Sequence, residues 1–103
     1  MKLIEHLEDQ IEEEIEGAEG YAKCALAKRE EYPDLADTYY ALAGDELDHV
    51  KMLHNHIVKI IRDYRDTNGE PPVSMQAVYD YLHKKQIDRV TSIQTMLSSY
   101  RAR

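Results

Sequence analysis

All three prolines of this 103-residue chain fall in two short stretches, EYPDLAD and DTNGEPPVS. Proline lacks the backbone donor a helix interior needs, and its ring clashes with the preceding turn, so these stretches are joints. Between them the apolar residues recur every three or four positions, the period of a helix with one buried face. The spacing predicts helices over about 2–31, 35–66 and 74–101, with Asp34 and Ser74 as N-caps and Gly69 just past the end of the second. Each would be roughly 40–45 Å long at 1.5 Å per residue. Long amphipathic rods joined by short turns form an antiparallel bundle, so the fold class expected is all-α, with residues 1–103 as one domain.

A single helical domain of this size buries little surface, and covering a face with a second copy would stabilise it. Hydrophobic residues make up 43% and charged residues 32%, and the net charge is −7. That acidity argues against nucleic acid and anionic membranes as partners and suits attraction of cations. The opening MKLIEHLEDQ has no continuous apolar run, so neither a signal peptide nor a membrane span is expected. Cys24 is the single cysteine. One thiol forms no intrachain disulfide and no cysteine-based zinc or iron–sulfur site, and a reducing cytoplasm is the expected location.

At 100° per residue, helix 1 gathers Leu3, Ile4, Leu7, Ile11, Ile15, Ala18, Tyr21, Ala22 and Ala25 on one arc. Of the glutamates in EEEIEGAEGY, Glu12, Glu13, Glu16 and Glu19 point roughly 100° or more away, but Glu14 lies only about 40° from the centre of that arc. Helix 2 carries Leu35, Tyr39, Leu42, Val50, Leu53, Ile57, Ile60 and Tyr64 as a stripe. Glu46 falls at its centre, with His49 one turn on, so both are expected to face inward. A buried carboxylate must be paired, protonated or bound to a cation. No Lys or Arg of helices 1 and 2 falls near either stripe. A metal ion is therefore the better partner, and carboxylate with neutral imidazole suits iron, manganese or zinc. Residues at i and i+3 sit about 5–6 Å apart, so Glu46 could bridge two ions while His49 caps one and Glu14 binds from the facing helix.

With these residues in place, EIEGAEGYAKCAL and DLADTYYALAGDELDH resemble the ferritin-like superfamily, particularly its rubrerythrin-type and small ferritin-like di-iron members. The resemblance covers roughly the first two-thirds of the chain. It implies a ferritin-like bundle and a non-haem di-iron centre that binds and oxidises Fe(II) with oxygen or peroxide, a ferroxidase- or peroxidase-type activity. Such a site takes ligands from four helices, whereas this chain offers three, and it lacks the CxxC pairs of a rubredoxin-like electron relay. Two copies packing helices 1 and 2 together would supply four carboxylates and two imidazoles. A homodimer or larger homo-oligomer is therefore expected.

Asp80 and His83 are weaker ligand candidates, because Asp80 points about 140° and His83 about 80° from the helix 3 arc of Met75, Val78, Leu82, Ile93, Leu97 and Tyr100. His54 and His56 read as boundary residues or points on an iron entry route, Tyr21 and Tyr39 as core aromatics near the ligand layer or as redox partners of it, and Gly17 as a point of close helix approach or a merely tolerated glycine. Two rival readings remain. One is a non-catalytic structural or interaction protein, of viral or mobile-element origin, on the same scaffold. The other is a metal store without redox activity.

Overall fold

A computed structural model describes residues 2–102. It contains three helices, α1 (Lys2–Lys28), α2 (Pro33–Asn68) and α3 (Val73–Arg101), and no strand among the described residues. The molecule is a rod of 56 × 18 × 17 Å. Its radius of gyration of 16.5 Å exceeds the ~13 Å of a compact domain of this length.

Both joints lie where the prolines place them, but the expected caps do not form. α2 begins at Pro33, whose fixed φ and missing amide suit a first helical position. Tyr32 takes the N-cap place without a side-chain bond, and Asp34 falls in the first turn, where a negative charge favours the helix dipole. Likewise α3 starts one residue before Ser74, with Pro72 as N-cap. α1 stops at Lys28, three residues short of its predicted end. Gly69 closes α2 as expected: φ is +79°, a left-handed conformation that glycine adopts without cost, and its amide donates to the Arg65 carbonyl at 3.0 Å.

The core is a three-four seam on every helix. On α1 it runs Ile4, Glu8, Ile11, Ile15, Ala18, Ala22, Ala25, with the stretch from Glu8 onward buried. On α2 the buried positions are Ala36, Ala43, Leu47 and Ile57, and Val50 and Ile61 pack against them. α3 contributes Gln86, Ile93 and Tyr100. The expected α2 stripe is thus rotated. Leu35, predicted inside, is 43% exposed, while two alanines left out of the stripe are buried completely. Small side chains let α1 and α2 approach closely, and the contact follows the alanines rather than the largest residues.

The third helix is held differently along its length. Its C-terminal half packs Ile93 into the main core, and Tyr100 stacks on Tyr40 at 5.1 Å and donates its hydroxyl proton to Asp37. Its N-terminal half leaves Val73, Met75 and Val78 exposed, the last two against expectation. In between lies a polar layer. Buried Gln86 donates to buried Glu8, Arg89 bonds Glu12 at 2.6 Å, and the rings of His54 and His83 stack at 4.5 Å with Tyr79 beyond them. Glu12, predicted to face solvent, therefore faces α3, because α1 packs against two helices and its contact arc is correspondingly wider.

Candidate metal centre

Glu14, Glu46 and His49 come together. Each offers one ligand atom, and the three atoms lie within 4.8 Å of one another, the only such group of three among the described residues. His49 Nδ1 is 3.2 Å from Glu14 Oε2 and 3.9 Å from Glu46 Oε1. The helix pair creates this geometry. α1 presents Glu14 across from α2, and Glu46 and His49 follow at the i, i+3 spacing on one side of α2.

Gly17 clears the space. A Cβ there would sit 3.1 Å from Glu46 Oε2 and 3.4 Å from its Cδ, tighter than ordinary contact. The carboxylate lies over a bare stretch of α1 backbone, which decides between the two readings of Gly17 in favour of close approach. Tyr21 and Tyr39 stack at 6.1 Å across the same two helices. Both rings are partly buried, and Tyr21 packs against the main core.

The expectation of a buried trio is corrected. The side chains of Glu46 and Glu14 are 23% and 29% exposed, and His49 is 49% exposed. With the buried positions of α2 as reference, Glu46 points roughly 65° and His49 roughly 125° off the seam. The trio lines a groove at the surface between α1 and α2. It stays within reach of solvent and of other molecules.

The three groups shift one another's affinity for protons. The hydrogen bond with Glu46 keeps the Glu14 carboxyl below the usual carboxylate range, aided by His49 and opposed by partial burial. The same bond, with partial burial and the Glu14 charge, raises Glu46. Of the two carboxyl groups, Glu46 is therefore the one that holds a proton more readily. His49 is raised by its hydrogen bond to Glu14 and by the surrounding acids. The two carboxyl groups are shifted in opposite directions beside a histidine whose affinity for a proton is raised, and among the described residues no Lys or Arg takes part in the trio's ion pairs. One divalent cation could replace any protons held there, and its binding would release them.

The weaker candidates lie elsewhere. Asp80 accepts a bond from Gln76 at 2.9 Å, and His83 belongs to the stack with His54 and Tyr79. His56 is exposed and Cys24 is a free, partly buried thiol. The reading of the sequence missed the polar layer of Glu8, His54, His83 and Gln86. A signal for it was present: each occupies a position of the three-four seam of its helix, Glu8 midway between Ile4 and Ile11. No family model, curated protein or solved structure matches this chain.

Proposed function

We infer that this chain is a ferritin-like metal-binding protein whose site takes two ions, iron above all with manganese or zinc as substitutes, between two copies of the chain. The observation that carries the reading is the convergence of Glu14, Glu46 and His49 over Gly17, with no Lys or Arg among the described residues in their ion pairs. Two carboxylates and one imidazole fit iron, whose divalent form takes mixed oxygen and nitrogen donors. They amount to half of the four-carboxylate, two-imidazole set of bundle di-metal sites.

The uncovered side of α2 supports the second copy. Leu35, Leu42 and Ile60 share the face of Glu46, to the side of the seam that α1 covers, and Leu53 on the same face packs against the core. Leu35 is exposed, and Leu42 and Ile60 are half-buried without joining either core cluster. Pairing two such faces antiparallel would bury this apolar strip around the ligands. It would also bring the trio into the drier setting in which ionic contacts strengthen.

The activity that follows is oxidation of Fe(II), in a reducing cytoplasm, by oxygen or peroxide. Two Fe(II) substrate ions each give up one electron, and oxygen with two protons becomes hydrogen peroxide. Within this chain, Glu46 is the bridging candidate and Glu14 and His49 the terminal ligands. Bound ions would displace any protons held by Glu46 and His49, and the open groove would admit the oxidant.

The test is anaerobic loading with Fe(II) followed by air, together with equilibrium sedimentation. A ferric absorption band in a dimer with two ions per dimer is the expected result. A monomer holding two ions per chain would reject the shared site. One feature favours a non-catalytic scaffold instead: His49 already contacts both carboxylates, at 3.2 and 3.9 Å, without an ion between them. Purified protein free of iron, manganese and zinc, and forming no ferric band on loading, would decide for the scaffold. Zinc occupancy without oxidase activity would indicate a store.

A further inference from the structure

Where α3 diverges from the other helices, a cavity of about 460 Å³ opens between the start of α1, the end of α2 and the start of α3. This is within the range of small-molecule sites, roughly 300–1,000 Å³. Its walls are apolar: Ile4 from α1, Ile61 from α2, and Met75, Val78 and Leu82 from α3. One side is different. Glu5, Glu8 and Asp9 line it together, no Lys, Arg or His does, and Tyr64 and Tyr79 complete the wall. The neighbouring base, Arg65, is occupied by Glu70 at 3.1 Å and by Gln76 at 3.1 Å.

Glu8 gives the cavity a built polar end. It is 7% exposed, and Gln86 donates to its Oε2 from below. A carboxylate held at the edge of an apolar cavity gains most from a cation that reaches it without bringing its water. We propose that this cavity binds an organic ammonium ion with an apolar body, its cationic head at Glu8 with Glu5 and Asp9 around it and its tail along Ile61, Val78 and Leu82. Charge complementarity selects this occupant: an anion would meet three acids, and a neutral apolar molecule would leave the buried carboxylate without a counter-ion. The site is built from α3 residues absent from the metal trio, and its occupancy does not depend on metal binding.

The experiment is calorimetric titration of the full-length protein with octylammonium, 1-octanol and octanoate, which share a tail and differ in the head. Saturable binding of octylammonium at least about tenfold tighter than of octanol, with no binding of octanoate, is the expected result; each tenfold step is ~1.4 kcal/mol. Glu5→Gln with Asp9→Asn, both exposed, should reduce that preference while the helical circular dichroism is unchanged. Ile61→Trp should fill the cavity and remove binding of all three. Equal binding of octanol and octylammonium, binding that survives Ile61→Trp, or no saturable binding overturns the proposal. So does a dimer broken by Val78→Lys in a protein that binds no amine, which would assign this face to a second copy.

Discussion

Two groups of acids and histidines sit six residues apart on α1 and meet opposite fates. Glu8 lies in the seam, where it joins Gln86, His54 and His83 as a polar layer inside one chain. Glu14 lies beside the seam, where with Glu46 and His49 it lines an open groove. The first group has neutral or oppositely charged donors from α3: Gln86 for Glu8 and Arg89 for Glu12. The second has only itself. A buried polar group with dedicated partners gives register and specificity, whereas converging acids left partly open, without such partners, leave room for a cation between them.

The largest expected effect separates the two groups. Glu46→Ala should abolish the ferric band on aerobic iron loading, and Gln86→Ala should leave it intact. An unchanged band in Glu46→Ala would remove the trio from the chemistry. Next is stability. Gln86→Ala strips the donor from buried Glu8 and should cost about 1–3 kcal/mol. At roughly 4–8 °C per kcal/mol for a domain of this size, differential scanning calorimetry would register it as a clear drop in Tm. A Tm unmoved by that substitution would mean that the layer contributes nothing.

Gly17→Ala should act oppositely on the two properties. Alanine in a helix interior is worth up to about 1 kcal/mol over glycine. Its Cβ, 3.1 Å from Glu46 Oε2, would push the carboxylate aside. Tm should rise while iron affinity falls, by about tenfold or less. If both rise, the close approach has no bearing on the site.

The smallest effects are in pH dependence. Burial, followed by the charge of His83, lowers the affinity of His54 for a proton. The groups facing it across the layer are His83 and, beyond the stack, Tyr79 and Glu8. A histidine depressed in the folded state supports stability above its ordinary value near 6.5, and that support is lost as pH falls through the folded value. Glu8 has the reverse sign, because burial raises it above the ordinary carboxylate range despite the Gln86 bond. The folded state holds its proton more tightly, so this contribution is present in acid and lost as pH rises through the raised value. Replacing His54 by Leu should flatten the decline in Tm between pH 6.5 and 5, and Glu8→Gln should stabilise the protein at pH 7 more than at pH 4. Parallel curves for variants and wild type would show that the layer does not titrate with folding.

Some of this was legible before any coordinates. Pro33, Gly69 and Pro72 marked both joints because their backbone restrictions are local properties. The i, i+3 relation of Glu46 and His49 and the direction of Glu14 were readable because helical geometry carries them. Burial was not. The α2 stripe was drawn through Leu35 and Leu42, but the contact runs through Ala36 and Ala43, and the difference moved Glu46 from the centre of the core to its margin. Glu12 was read against one neighbour, although α1 has two, and Glu8 went unnoticed.

From its sequence alone, then, this protein has three long helices, two joints and an acid–acid–histidine set on facing rods. Each follows from interactions within a few residues: ring geometry, missing donors, the 100° step. Which side of each helix is buried, how Gln86 and Arg89 meet the acids of α1, and the cavity where α3 diverges were decided only in the tertiary structure. Those outcomes depend on how closely whole helices approach. The approach distance is set by pairs of small residues far apart in the chain, and no local pattern encodes which pairs will meet.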